Sequence, residues 1–217
     1  MLRCARNDDL ILPESALSLA AMNDFDDSGI PYWRQRPRPI GREFAYRLRD
    51  GDMLEIEASG KIDRVPLSTV EQMRFFFAPS NISASGFRTT LRLGDGRTIT
   101  FGNLSWRSFT DIDRDDAGYR RFVAALSAAV ARTNPKARFV AGRPYSLWLA
   151  AATVGGLAIA MLAYVTIRSV MLGETTTALL GLVLVAASIW QVRPMILLNR
   201  PRELRTGEVP DDLVPGG

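Results

Sequence analysis

Residues 146–167 form a run of 22 residues without one charged side chain. As an α-helix rising about 1.5 Å per residue, this run reaches roughly 33 Å, enough for the ~30 Å hydrocarbon core of a bilayer. A second uncharged run covers residues 175–192. Aromatic residues, which favour the membrane interface, lie near the ends of both runs: Trp148, Tyr164 and Trp190. The pattern predicts a transmembrane helical hairpin within residues 145–198.

The orientation of this hairpin follows from its flanks, because arginine and lysine beside a span are retained in the cytoplasm. Only Arg168 lies in the connection, whereas several basic residues precede the first uncharged run or follow the second: Arg132, Lys136, Arg138, Arg143, Arg193, Arg200, Arg202 and Arg205. Both termini are therefore predicted to be cytoplasmic. Lys61 and Lys136 are the only lysines beside many arginines, which is typical of a G+C-rich bacterial genome. We expect a multi-pass protein of the bacterial cytoplasmic (inner) membrane.

Small residues mark one side of the first run. Ala152, Gly156 and Ala160 are spaced by four, with Gly155 beside them, and the second run carries Gly181. Small side chains let another helix approach closely. The row either packs against the second run or docks on a partner's transmembrane helix. Neither run contains a charged residue, so no ion path or transporter site is predicted.

The composition disfavours several classes of enzyme. The chain has no histidine and one cysteine, Cys4, so it lacks the commonest general base and the usual ligands of zinc. The acidic run Asp111, Asp113, Asp115 and Asp116 lacks the spacing of a calcium loop and is interpreted as a helix cap. No metal, cofactor or enzymatic activity is predicted. The net charge of +4 is spread among acidic residues, so no nucleic acid is expected as a partner.

The two ends of the chain are polar and rich in proline. Residues 1–40 are predicted to be a flexible arm without a secretory signal, and residues 199–217 a disordered cytoplasmic tail. The arm contains an aromatic and basic cluster: Tyr32, Trp33, Arg34, Arg36 and Arg38. This cluster either lies against anionic headgroups or covers the edge of the next domain.

Residues 41–138 have the pattern of antiparallel strands followed by one helix. From Phe87 to Leu93, apolar or small side chains alternate with arginine and threonine, which is typical of a strand with one buried face. Turns are predicted at three pairs: Asp50-Gly51, Ser59-Gly60 and Asp95-Gly96. A helical stripe then follows at spacings of three and four, ending before Pro135: Tyr119, Phe122, Val123, Leu126 and Val130. The predicted fold class is α+β.

The stretches IDRVPLSTVEQMRFFF and LRLGDGRTITFGN, with the helix from Asp115 to Thr133, resemble the bacterial membrane proteins that carry a pleckstrin-homology-like (PH-like) domain. The resemblance is one of architecture and covers residues 43–133. It implies an antiparallel β-sandwich or barrel capped by a C-terminal helix and followed here by the transmembrane hairpin. It also implies a binding or scaffold module, and it supplies no catalytic residue.

Three functions remain open on these observations. The first is a membrane-anchored cytoplasmic interaction module, an accessory or assembly subunit of an inner-membrane complex with a protein partner in the membrane. The second is a sensor of anionic phospholipid through candidate residues on the β domain: Arg74, Arg88, Arg92 and Arg97. Alternatively these arginines are merely solvated or paired, with Glu55 and Glu57 as the expected partners. The third, least favoured, is a small membrane enzyme.

Overall fold

The computed structural model describes residues 29–78, 86–109 and 111–215. Four antiparallel strands form a first sheet in chain order: β1 (Tyr32–Gln35), β2 (Phe44–Arg49), β3 (Met53–Ala58) and β4 (Lys61–Pro66). The loop after β2 has three residues, 50–52, and φ is positive at Asp50 (54°) and Gly51 (73°). The loop after β3 has two residues, Ser59 and Gly60, with φ values of 52° and 76°. This is the type I′ geometry that joins twisted strands tightly. Both predicted turns are confirmed.

A second sheet uses strands from three parts of the chain: β5 (Val70–Phe77), β6 (Phe87–Leu93), β7 (Thr98–Gly102), β10 (Arg138–Ala141) and β11 (Arg202–Leu204). Its strand order is β11-β10-β5-β6-β7, and β10 runs parallel to β5 while the other neighbours are antiparallel. A separate pair is formed by β8 (Leu104–Trp106) and β9 (Ile112–Arg114). The alternation along β6 is confirmed, since Thr89, Leu91 and Leu93 are buried.

Helix α1 (Asp116–Thr133) packs against the core of this β-rich region. Its predicted apolar stripe is buried throughout, from Tyr119 to Val130. The Asp115 carboxylate accepts a hydrogen bond from the N–H of Gly118 at 2.8 Å, which satisfies an amide in the first turn. The interpretation of the acidic run as a helix cap is therefore confirmed at Asp115.

Aromatic rings fill the space between α1 and the two sheets. Phe101 of β7 lies 5.2 Å from Tyr46 of β2 and 5.6 Å from Phe122 of α1, measured between ring centroids. Trp33 of β1 meets Tyr119 edge-on at 5.6 Å. These contacts join elements from both sheets and the helix into one hydrophobic core. The core therefore needs β1, which the sequence placed in a flexible arm.

Two long helices follow the β-rich region: α2 (Tyr145–Met171) and α3 (Thr175–Leu198). Both are long and apolar enough to cross a membrane, and their apolar stretches are not buried in the described chain. The N–H groups of Gly173 and Glu174 bond back to the carbonyls of Val170 and Ser169 at 3.1 and 2.9 Å. Gly173 has a φ of +78°, so the turn is a Schellman motif. The α+β class and the apolar two-helix hairpin are confirmed.

The two helices pack through residues spaced alternately by three and four. Gly181 of α3 lies so close to Thr166 of α2 that an added Cβ would stand 2.3 Å from the Thr166 hydroxyl oxygen. A Cβ on Gly155 would stand 3.1 Å from a Val192 methyl carbon. Small residues thus permit the close approach of the helices, as expected for antiparallel neighbours.

The two chain ends, predicted to be a flexible arm and a disordered tail, both contribute ordered residues to the structure. Tyr32 and Trp33 of the expected arm are buried residues of β1, whereas residues 1–28 lie outside the described part of the chain. The expected disordered tail contributes β11, and Leu213 and Val214 beyond it are buried in the core. Burial of these apolar residues and the pairing of β11 with β10 both offset the loss of conformational freedom in the tail.

Candidate interaction surfaces

The junction between the β-rich region and the hairpin is held by hydrogen bonds to main-chain groups of β5. The Asn199 amide, at the end of α3, bonds to both the N–H and the carbonyl of Phe77 in β5. The N–H of Gly142 donates to the carbonyl of Phe75 at 2.7 Å. A Cβ on Gly142 would stand 2.4 Å from the Arg200 carbonyl oxygen, so the connection before α2 needs glycine there. Nothing in the sequence pattern marked these residues.

The outer face of the second sheet carries three of the four candidate arginines. In the register of β5 with β6, Arg88 is opposite Phe76 and Arg92 is opposite Gln72, while Arg74 lies between them on the same face. Alternation along each strand directs this face away from the core. The structure therefore places Arg74, Arg88 and Arg92 on one surface, which we call the basic face.

Arg74 differs from the other members of the basic face because it is half-buried. Its guanidinium donates to the carbonyl oxygen of Gly142 at 2.9 Å. Removal from water, with the charge of Arg138 nearby, lowers the pKa of Arg74 below its ordinary value. Arg138 itself pairs with the exposed Glu203 of β11. Arg74 thus helps to fix the junction as well as contributing charge.

Arg88 and Arg92 extend from β6 without a carboxylate partner in the described part of the chain. Arg97 is in a different environment, in the turn after β6. Its guanidinium lies 2.6 Å from the Asp95 carboxylate and 3.0 Å from that of Asp63. The hydrogen bond with Asp95 is the largest cause that raises the pKa of Arg97. Arg97 is therefore neutralised and lies off the basic face.

The expected pairing of Glu55 and Glu57 with Arg88 and Arg92 is wrong. Both glutamates lie in β3 of the first sheet, and their partners are arginines of the neighbouring strands. Glu55, 3% exposed, is held by Arg49 and Arg64 at 3.2 and 2.8 Å, and Glu57 is paired with Arg47 at 2.9 Å. Both carboxylates are therefore paired with arginines of the neighbouring strands in the first sheet, and not with arginines of the second sheet.

A cavity of 570 Å³ opens beside the basic face. The loop after β1 brings Arg38, Ile40 and Arg42 to one side of it, and Arg88 with Gly102 forms part of the other. Ile40 is 76% exposed, and none of the described lining residues is acidic. The cavity thus offers guanidinium groups beside apolar surface, a combination suited to an anionic group on an apolar body. Sequence reasoning missed Arg42, although the basic stretch RPRPIGR was visible.

A side-chain bridge beside this cavity connects the two sheets. The Gln35 amide donates to the Leu104 carbonyl at 2.8 Å and accepts from the Gly102 N–H at 2.9 Å. Gln35 is in β1, whereas its partners are in β7 and β8, so one buried amide joins the sheet edges. Burying an amide is favourable only when its hydrogen bonds are satisfied, as they are here. The bridge holds the cavity wall in place.

The small residues of the hairpin fall on two surfaces. Ala152 and Gly155 of α2 are partly covered by α3, as is Gly181 of α3 by α2. Gly156 and Ala160 are exposed, and a Cβ on Gly156 would meet nothing within 4 Å. The predicted row is thus divided between the helix contact and the outer surface, because residues four apart drift around a helix relative to a three-four contact stripe.

Metal ligands are not grouped in the described part of the chain, where no three His, Cys, Asp or Glu residues could together hold an ion. Cys4 and the rest of residues 1–28 are outside that part. What the described surfaces present is a set of guanidinium donors, a cavity and two exposed apolar helices. These features suit binding to a charged or membrane-embedded partner.

Comparison with known proteins gives no match: no family model, curated protein or solved structure is detectably similar to the chain.

Proposed function

We propose that the protein is a membrane-anchored interaction module, an accessory or assembly subunit of a protein complex in the bacterial inner membrane. In this proposal α2 and α3 cross the bilayer, the connection at Gly173 lies outside, and both termini are cytoplasmic. The β-rich region is then held at the cytoplasmic surface, where it presents binding surfaces and performs no catalysis.

The observation that carries this proposal is the junction at Asn199. A flexible linker would let a tethered domain sample many orientations. Here the Asn199 side chain bonds to the main chain of Phe77 in the sheet. The N–H of Gly142, just before α2, also donates to the carbonyl of Phe75. The strand β11 adds a further attachment beyond α3. A module positioned this firmly on its anchor is preorganised for a partner in or on the same membrane.

Membrane insertion is supported by the exposed surface of the helices. Trp190 is 80% exposed and Leu157 65%, and similar values hold for many apolar residues of both helices. An exposed apolar surface of this extent is unfavourable in water and favourable in a bilayer. Ser and Thr hydroxyls on α2 bond back to carbonyls of their own helix, as at Thr166 with Leu162, which satisfies them without water.

The β-rich region is proposed to be a PH-like domain. Four strands in one sheet are followed by β5 to β7 of the second sheet, by the short β8–β9 pair, and then by α1 packed on the core. The strands β10 and β11, which come later in the chain, extend the second sheet. This order and the single following helix support the resemblance seen in the sequence. An experimentally determined structure of the full chain in a lipid nanodisc tests it, since a different strand order would reject the assignment.

The subunit proposal is tested by expressing the tagged full chain in its own host and solubilising it in mild detergent. We expect one defined set of membrane proteins to co-purify in stoichiometric amounts. A reporter fused at Gly173 should read outside, and one at the C-terminus should read cytoplasmic. Purification of the chain alone would contradict the subunit role, and a cytoplasmic reading at Gly173 would contradict the topology.

Binding of anionic phospholipid is the second candidate, favoured by the unpaired guanidinium groups of Arg88 and Arg92. Basic residues at an anionic leaflet gain about 1 kcal/mol each. Native mass spectrometry of the full chain can count the anionic lipids retained after detergent extraction. The double substitution Arg88→Gln and Arg92→Gln should reduce that count, whereas Arg97→Gln should leave it unchanged because Arg97 is already paired with acids. Equal counts in all three proteins would reject this candidate.

A further inference from the structure

The contacts between the helices define which residues lie at the same depth. Gly155 is level with Val192, and Thr166 is level with Gly181. In an antiparallel pair, one step forward on α2 corresponds to one step back on α3. Arg193 is therefore level with Val154, well inside α2, and does not mark the end of α3, which continues to Leu198.

The spacing of α2 gives the position of Arg193 relative to a bilayer. Trp148 and Arg168 are separated by 20 residues, or about 30 Å, which equals the thickness of the hydrocarbon core. The Trp148 indole donates to the carbonyl of Ile196 at 2.9 Å, so this aromatic residue marks the base of the hairpin. With these residues at the two boundaries, Arg193 lies six residues, about 9 Å, inside the core.

No placement of the bilayer boundaries along the hairpin keeps both Arg168 and Arg193 outside the hydrocarbon core. Residues that lie opposite each other on the two helices are all uncharged only over 155–167 of α2 and 180–192 of α3. These 13 residues span about 20 Å, less than the ~30 Å that the bilayer core requires. At least one arginine must therefore enter the hydrocarbon layer or draw water and headgroups toward itself.

The charge of Arg193 is not compensated by an ion pair with any described residue of its own chain. Arg193 is exposed. Each Cα–Cβ bond leans toward the helix N-terminus. The N-terminus of α3 is at the connection, so the side chain starts toward the bilayer centre rather than toward the base. Trp190 and Leu197 flank Arg193 on the same side of α3 and are 80% and 57% exposed. Charged residues inside a membrane usually face the interior of a helix bundle and pair with an opposite charge or a backbone carbonyl.

The same helical turn also lacks one main-chain hydrogen bond. Pro194 is inside α3 and has no N–H, so the carbonyl of Trp190 has no donor four residues later. In a bilayer such a group is satisfied by a neighbouring helix, a side chain or water. One turn of α3 therefore contains both the Arg193 guanidinium, which has no ion pair among the described residues, and the Trp190 carbonyl, which has no main-chain donor four residues later.

We propose that Arg193 binds an Asp or Glu carboxylate on a transmembrane helix of a different protein, at the depth of Val154. The inference rests on the proposed membrane function and names the chemistry of its partner. A second copy of this chain does not fit, because Glu174 is the only acidic residue of the hairpin and lies at its opposite end. Two copies related by an axis along the membrane normal would instead bring like charges to the same depth.

The test is photo-crosslinking of the full chain in host membranes, with p-benzoylphenylalanine placed at position 190. We expect one adduct, with a membrane protein that has an Asp or Glu in a transmembrane helix. Arg193→Leu should reduce this adduct roughly tenfold or more, the effect of removing one member of a buried charge pair. Arg193→Lys should retain it. The crosslinker at Leu157, level with Trp190 but on α2, is the depth-matched control and should give less of this adduct.

A charge exchange completes the test. Arg193→Glu should abolish the adduct, and replacing the partner's carboxylate by arginine should restore it. An adduct only with lipid, an adduct with a second copy, no adduct, or one unaffected by Arg193→Leu overturns the inference. Resistance to carbonate extraction is measured on the same proteins. If the unmodified chain is extracted, the membrane function itself fails; if it resists and only the adduct results disagree, the inference about Arg193 alone fails.

Discussion

The side-chain amide of Asn199 accepts a hydrogen bond from the N–H of Phe77 at 3.0 Å and donates one to the carbonyl of the same residue at 2.9 Å. One side chain thereby completes the pairing of the last residue of β5, as a neighbouring strand would. The main-chain carbonyl of Asn199 also accepts from the N–H of Arg143 at 3.1 Å. A single buried residue thus connects the end of α3, the start of α2 and the sheet.

Asn199→Ala should destabilise this junction. It leaves the N–H and the carbonyl of Phe77 buried without partners, at roughly 1–3 kcal/mol for each group. Thermal unfolding of the full chain in detergent should show a lower midpoint, and hydrogen exchange should rise at Phe77. Asn199→Asp should fail to rescue, because a carboxylate cannot donate to the carbonyl. The control is Asn134→Ala, which removes a less buried amide; an equal loss in both proteins would count against a special role for Asn199.

Gly142 and Gly173 form a matched pair for separating backbone strain from steric conflict. Their φ values are +79° and +78°. A Cβ on Gly142 would stand 2.4 and 2.5 Å from two carbonyl oxygens, whereas one on Gly173 would meet nothing within 4 Å. Gly142→Ala should therefore lower the free energy of unfolding by about 1–3 kcal/mol more than Gly173→Ala. Chemical denaturation in detergent checks the difference, and equal losses would mean that the junction adapts.

Gly181→Leu should separate the two helices, and Gly156→Leu should not. The substitution at Gly181 forces a side chain into Thr166, at a cost of roughly 1–3 kcal/mol, whereas Gly156 is directed outward into open space. Both changes alter the residue type identically, so helix propensity cancels. The measurement is the formation of a disulfide between cysteines introduced on the two helices. Similar disulfide yields in both variants would contradict the assigned helix contact.

We expect Glu55 to make the stability of the folded protein decrease at acidic pH. Its hydrogen bond from Arg64, with Arg49 beside it, lowers the pKa of Glu55 in the folded protein below its ordinary value. A lowered folded pKa adds stability above the unfolded pKa of about 4.3, and this stability is lost as pH falls through the folded pKa. The thermal midpoint should therefore fall more steeply below pH ~4.3 in the native chain than in Glu55→Gln.

The control for this prediction is Glu203→Gln. Glu203 forms an ion pair with Arg138 in which both side chains are largely exposed to solvent. Exposed pairs contribute little to stability. This variant should therefore keep the acid dependence of the native chain, and a matching loss in both variants would show that Glu55 has no particular part in it.

The sequence predicted the features whose cause is local. Alternation along Phe87 to Leu93, the stripe on α1 and the Asp-Gly and Ser-Gly turns follow from the periods and dihedral preferences of short segments. The apolar hairpin likewise follows from length and composition. The order of the chain ends does not follow from local sequence. The strands β1 and β11 are short, and their stability comes from partner strands and core residues elsewhere in the chain. In the sequence, apolar tail residues such as Leu213 were the only indication that the tail packs against the core.

The positions of individual side chains were decided only by the tertiary structure. Periodicity predicted that Arg88 and Arg92 share a face, but only the register showed that Arg74 joins them and that Arg97 is neutralised by Asp95 and Asp63. In the hairpin, adjacent Gly155 and Gly156 face opposite surroundings. The position of Arg193 opposite Val154 followed only from the register of one helix against the other. A residue's type and spacing restrict its possible neighbours, whereas packing between distant segments selects which neighbours it has.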